Sequence, residues 1–296
     1  MTSEVMGPPP RWPTIGPMSA ASHAAPPPPR AAPQPFGAHL RHWRQHRRLS
    51  QQGLADEAAI STRHLSFVET GRALPSREMV LRLADRLQVP LRERNAMLVA
   101  AGYAPMYRER PLDDPALAPA RQAVDLILRA HEPYPALAVD RHWNLVAANR
   151  MLPHLLAGAD PALLQAPVNV LRLSLHPQGL AQRIVNLAQW REHLFERLRQ
   201  QIHATGDGTL AALLAELQGY AGSHPLHGAR LPDEHLGVAL PLQLRAADGS
   251  VLSFISTTTV FGTAVDVTVQ ELTLETFFPA DAATTRALQQ IAATTG

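Results

Sequence analysis

From residue 36 to residue 104, apolar positions recur at spacings of three and four, and capping residues interrupt them at short intervals. "FGAHLRHWRQHRR" sets Phe36, Leu40 and Trp43 on one side of a helix with arginines around the rest. Ser50 precedes Gln51-Gln52, Ser61 precedes a second short pattern, and Ser76 precedes "REMVLRLADRLQ". Serine favours such positions because its hydroxyl accepts a hydrogen bond from an otherwise unpaired amide of the first turn. Pro90 suits the start of "LRERNAMLVAAGYAP". The pattern predicts five short helices in a compact all-α domain over residues 36–104.

Beyond residue 104 the texture changes. Prolines 105, 111, 115 and 119 punctuate a semi-rigid connection that holds one helical stretch, Pro119 to His131. "ALAVDRHWNLVAAN" reads as two short strands around an Asp140-Arg141-His142 turn, with a helix from Asn149. Leu180, Ile184, Leu187, Trp190, Leu194 and Leu198 predict a long helix over residues 179–205. "VALPLQLRAADGSVLSFISTTTVF" reads as a hairpin turning at Ala247-Asp248-Gly249, with Leu240, Leu242 and Leu244 on one face. "AVDVTVQELTLETF" alternates Val265, Val267 and Val269 with Asp266, Thr268 and Gln270, which predicts a third strand, and Asp281 is placed to cap a final helix. Residues 105–296 are therefore expected to form an α+β domain with a largely antiparallel sheet. Residues 1–35 hold 11 of the 27 prolines, including "PPPP" at 26–29, and are expected to be a disordered tail.

Charge divides the chain the same way. Residues 36–110 carry 13 Arg against 7 Asp/Glu, whereas residues 111–296 carry 12 against 17. A basic front half fits a polyanionic partner. The chain has no cysteine, which excludes disulfides and thiolate metal sites. No apolar run is long enough to span a bilayer and no signal-peptide pattern opens the chain, so the cytoplasm is the expected compartment and no membrane partner is expected.

The most informative stretch is "SQQGLADEAAISTRHLSFVETGR" at 50–72. Leu54, Ala58, Ile60, Leu65 and Val68 can lock two short helices across a tight turn, with Ala55 small at their closest approach and Ala59 at a place that usually takes glycine. With Leu65 and Val68 inward, the helical period turns Thr62, Arg63, Ser66, Phe67 and Thr70 outward. These residues and spacings resemble the lambda-repressor-like helix-turn-helix domain of the XRE family over roughly residues 36–90. "STRHLSFVETGRALPSREMVLRLADRLQVPLRERNAMLVAAGYAP" resembles the XRE subgroup whose second half is an MmyB-type, PAS-like ligand-binding domain. "HEPYPALAVDRHWNLVAANRMLPHLL" resembles the opening of that domain, so the likeness runs over most of residues 36–280.

The resemblance implies a transcriptional regulator that binds double-stranded operator DNA. A homodimer is expected, since dimers gain affinity by placing two such domains about one helical turn apart; without coiled-coil heptads, the expected dimer surface is the C-terminal half, with its helix over 179–205. Thr62, Arg63, Ser66 and Phe67 fall at base-reading positions; Arg63 suits guanine O6 and N7, and Phe67 suits a thymine methyl. Gln51, Ser61, His64, Arg72 and Arg44 fall where phosphate contacts are expected, and Glu69 where a structural pairing is expected. In the second domain the resemblance implies a cavity for a small apolar, fatty-acid-like molecule, for which Trp143, Asn149, Arg172 and His176 are candidate contacts. No metal or other cofactor is expected. The stripe His39, His42, His46 has no converging Cys or acidic partner, and "HPLH" at 224–227 is equally weak. No nucleophile elbow, P-loop or dinucleotide fingerprint occurs, so catalysis has no support. A non-catalytic interaction or antitoxin-like protein using the helix-turn-helix only as a DNA tether fits the same motifs.

Overall fold

The computed structural model describes residues 34–220 and 240–295. The proline-rich stretch through residue 33 and the HPLH segment lie outside the described residues. The chain divides into two compact units, one taking in residues to Asp114 together with Gly262–Gln270, the other Pro115–Phe261 with the residues from Glu271 onward.

The helical unit is built from α1 (Phe36–His46), α2 (Gln51–Glu57), α3 (Thr62–Glu69), α4 (Arg77–Arg86) and α5 (Leu91–Ala100). Its caps follow the serines. The Ser50 hydroxyl accepts from the Gly53 amide, Ser61 from His64 and Ser76 from Met79. Phe36, Leu40, Trp43, Leu54, Leu65, Val68, Leu83, Leu87 and Met97 close one buried core. Gly37 sits where α1 meets the end of α3, so near that an added Cβ would lie 2.3 Å from the Glu69 carbonyl oxygen. Residues 105–114, expected to begin the second domain, pack with this unit. Asn95 explains part of this: its Oδ1 accepts the Met106 and Tyr107 amides, and its Nδ2 donates to the Tyr107 carbonyl.

The other unit begins with α6 (Ala118–Ala130), the helical stretch expected from Pro119 to His131, so six helices in all precede the first strand. The elements that follow are β1 (Ala136–Val139), β2 (Leu145–Ala148), α7 (Leu152–Leu155), α8 (Val170–Leu175), α9 (Leu187–Thr205), α10 (Gly208–Gly219), β3 (Leu242–Arg245) and β4 (Val251–Val260). The chain then passes through α11 (Val267–Gln270) in the helical unit and returns as β5 (Thr273–Pro279) and α12 (Ala282–Thr295). Among the described residues the strands form one antiparallel sheet in the order β2-β1-β5-β4-β3. The Asp140 turn joins β1 to β2, with Asp140 Oδ1 accepting the His142 and Asn144 amides. Gly249, at φ +84°, turns the β3–β4 hairpin, and Asp281 caps α12 through the Thr284 amide.

Two expectations are corrected. The helix expected over 179–205 starts at Leu187 instead. Residues 183–185 pair with β3: the Val185 amide donates to the Gln243 carbonyl and the Arg245 amide to the Arg183 carbonyl. An open sheet edge offers these backbone groups partners that a helix would forfeit, and tertiary pairing overrides the periodic pattern. The third strand, expected over residues 264–277, is the second correction: its later part is β5, but Val267–Gln270 form α11. Asp266 is buried against Arg110, whose Nη1 donates to Oδ2 at 2.6 Å. The Val267 amide donates to the Arg108 carbonyl, and Gln270 Oε1 accepts the Leu91 amide that Pro90 leaves uncapped. Val265 consequently stands 81% exposed.

Candidate functional site

The turn between α2 and α3 carries the helix-turn-helix geometry. Ala58 is helical, Ala59 adopts φ +53°, and the Ile60 amide closes onto the Ala55 carbonyl. α3 then buries Leu65 and Val68 and leaves the opposite face outward. Arg63 is exposed, with its guanidinium carbon 5.4 Å from the centre of the Phe67 ring. Thr62 and Ser66 are half-buried on the same face, and the Thr62 hydroxyl donates to Gln52 Oε1 at 2.6 Å. At the far end, Gly71 (φ +73°) ends the helix, its amide donating to the Val68 carbonyl and that of Arg72 to Phe67. This closure takes up carbonyls the last turn would leave unpaired and leaves the Arg72 side chain exposed.

Arg44 has another job here. Its Nε and Nη2 donate to the two oxygens of Glu69 at 2.6 and 3.1 Å, and its Nη1 donates to the Leu49 carbonyl at 2.9 Å. Only 12% of its side chain is exposed. Those contacts make Arg44 a strut between α1 and α3. Gln51 shares the arrangement, donating from Nε2 to Glu69 Oε2 at 2.7 Å. Burial pulls the Glu69 carboxyl upward, but the hydrogen bonds from Arg44 and Gln51 and the charges of Arg44 and Arg41 outweigh it. The net effect holds Glu69 below the ordinary carboxylate range. Ser61 and His64 lie at the start of α3, where the Ser61 hydroxyl is occupied as the cap.

The α+β unit contains an apolar cavity of about 90 Å³. That is several times the roughly 10–15 Å³ that admits one water. Its walls include Leu137, Leu152, Leu171, Leu194, Leu244 and Phe277. Trp143 lines it, and its Nε1 donates to Gln201. The other three candidates do not line it. Asn149 is consumed by the backbone, its Oδ1 accepting the Ala136 and Met151 amides and its Nδ2 donating to the Leu128 and Tyr134 carbonyls. Arg172 forms a two-point pair with Glu216, both contacts at 2.7 Å, and His176 packs edge-on against Tyr220. Burial and the Glu216 carboxylate push the Tyr220 hydroxyl up to about 12.

Sequence reasoning missed the polar groups that do line the cavity: Ser174, Arg197, Ser256 and Glu275. A signal for two of them was present. Arg197 falls on the stripe of Trp190 and Leu194, and Glu275 interrupts the apolar residues of "LTLETFF". A charge on a face that the period assigns to the interior marks a site or a buried pair.

A helix-turn-helix with a polar outward face and an α+β unit around an apolar cavity are the parts of a DNA-binding regulator that carries its own ligand-binding domain. The family model of the MmyB-like transcription regulator ligand binding domain matches residues 120–291, and that of a helix-turn-helix domain matches residues 35–97. The chain belongs to the MmyB-like transcription regulators. Both modules are regulatory and non-catalytic. Among the described residues no group of His, Asp and Glu is arranged to hold a metal, and no helix is long and apolar enough to cross a membrane. A search of curated proteins gave no match.

Proposed function

We propose that the protein is a cytoplasmic, homodimeric regulator that binds operator DNA through α3 and changes that affinity when its PAS-like second domain takes up a small apolar molecule. The observation that carries the DNA reading is the outward face of α3, with Arg63 exposed two residues from the helix cap while Leu65 and Val68 are buried. The N-terminal end of such a helix is the part that reaches base edges in the major groove. Thr62, Arg63, Ser66 and Phe67 read bases; Gln51, Ser61, His64 and Arg72 hold phosphates. The antiparallel five-stranded sheet, with its helices enclosing a cavity, supports the PAS-like reading. The cavity favours a sensor over a bare DNA tether, since a tether has no use for an apolar cavity of that size. Dimers place two reading helices about one turn of DNA apart, and α9 is the proposed dimer surface.

The test separates base reading from phosphate holding. An operator is first selected from random oligonucleotides. Affinities of the full chain for the selected and for random duplexes are then measured by fluorescence anisotropy. Arg63→Ala loses about 1–3 kcal/mol on the operator and tolerates one base pair more loosely. Arg72→Ala weakens both duplexes alike and lowers the salt slope by about one. Equal loss on both duplexes for Arg63→Ala would remove it from base reading. Ligand control is read by repeating the titration with the apolar molecule that copurifies; the usual coupling is about 1–3 kcal/mol, and no change would reduce the second domain to an assembly module.

A further inference from the structure

The chemistry of the cavity's polar end restricts what can occupy it. Among the described residues lining the cavity, Arg197 and Glu275 are the charged ones. Arg197, on α9, reaches across to β5: its Nη1 donates to Glu275 Oε2 at 3.1 Å and its Nη2 donates to Oε1. Nη2 also donates to the Thr258 hydroxyl at 2.7 Å, and that hydroxyl donates to Glu275 Oε1 at 3.2 Å. The guanidinium carbon lies 4.6 Å from the centre of the Trp143 ring. The Glu275 side chain is 5% exposed. The cation is therefore compensated within the protein, and the polar end of the cavity has no net charge.

We propose that this cavity takes a neutral amphiphile, an apolar chain with an uncharged hydrogen-bonding head such as a hydroxyl or an amide, and discriminates against the carboxylate of the same chain. The inference rests on the ligand-binding reading above and names the class of ligand. A carboxylate entering the cavity gives up its water, meets a guanidinium already paired, and lies beside a second buried carboxylate. Like charges at close range disfavour the ionised form. A neutral head has no such cost and has partners available. The Ser174 hydroxyl accepts from Trp190 Nε1 at 3.1 Å and keeps its own hydrogen for a ligand acceptor; Ser256 supplies a second hydroxyl on the wall. His193, which packs beside Trp190, has its pKa held down by burial and by the Arg197 charge against the opposing pull of Glu275.

The experiment is isothermal titration of the purified full chain, stripped of bound apolar molecules, with 1-octanol and with octanoate. At pH 8 octanol is expected to bind about tenfold tighter or more, a difference of roughly 1.4 kcal/mol or above. Glu275→Gln, which keeps the shape and removes the negative charge, is expected to narrow or invert that ratio by freeing Arg197 for the octanoate head. Should this variant fail to fold, the wild-type chain carries the test alone. Octanoate affinity rises about tenfold per unit as the pH falls from 8 to 6, following the neutral acid, while octanol affinity stays level. Arg197 and Glu275 are the titratable groups lining the cavity, and His193 packs beside Trp190 of its wall; octanol reports any change in them. Octanoate binding as tightly as octanol at pH 8 overturns the neutral-ligand inference alone. No heat from either probe overturns the ligand-binding reading, and this inference falls with it.

Discussion

Replacing Ala59 by glycine is expected to stabilise the helical unit, although it removes a methyl group from the turn that sets the angle of α3. Ala59 is held at φ +53°, where a Cβ crowds the carbonyl that follows it. That conformation costs an L-residue about 1–2 kcal/mol. Glycine relieves the crowding but loses about 0.5–1 kcal/mol in backbone entropy on folding. Ala59 is exposed, so no packing is lost with its methyl group. The turn's own hydrogen bonds, Ala59 amide to the Asp56 carbonyl and Ile60 amide to Ala55, involve only backbone. The difference leaves roughly 0.5–1 kcal/mol in favour of glycine. Hydrogen exchange of the full chain reads this locally: slow amides of α2 and α3, those of Leu65 and Val68 among them, slow by about two- to fivefold. Ala59→Val moves the other way, because a β-branched side chain fits that region worse than alanine. Faster exchange in Ala59→Gly, or no change in either variant, would mean that the turn carries no strain and that the φ argument is wrong.

The other predictions concern the packing behind the reading helix. Gly37→Ala drives a Cβ to 2.3 Å from the Glu69 carbonyl oxygen, a rigid backbone atom, and is expected to cost on the order of 2 kcal/mol in urea titrations of the helical unit. A fully stable Gly37→Ala would show that α1 and α3 can separate freely. Arg44→Ala leaves the Glu69 side chain, 0% exposed, with only Gln51 and the more distant Arg41; about 3 kcal/mol is the expected loss by the same measurement. Because the Glu69 pKa is lowered by folding, its stabilising contribution is present above the unfolded value of about 4.3 and is lost as the pH falls through the lower folded value. Arg44→Ala should therefore flatten the acid limb of the stability curve, and an unchanged limb would exclude Glu69 as its cause.

Local rules governed much of what was legible. The three serine caps, the inward Leu65 and Val68, the Asp140 turn, the Gly249 hairpin and the Asp281 cap each depend on residues within a few positions of one another. Their hydrogen bonds follow from chain geometry whatever the rest of the molecule does. The outward face of α3 followed for the same reason, since burying one stripe of a short helix dictates the opposite one.

What the tertiary structure alone decided involves partners distant in sequence. Residues 183–185 carry a helical pattern, yet β3 some sixty positions later offers their backbone a paired edge. The valines at 265, 267 and 269 alternate like a strand, but Asp266 is held by Arg110, and the chain turns there instead. Arg44 looks like any surface arginine near DNA until Glu69, twenty-five residues on, takes up its fork. The polar end of the cavity joins Arg197 of α9 to Glu275 of β5, seventy-eight positions apart. Periodicity shows which face of an element turns inward, because that depends on one helix or strand at a time. Which charges meet across that interior depends on how the elements are packed, and only the folded chain supplies that.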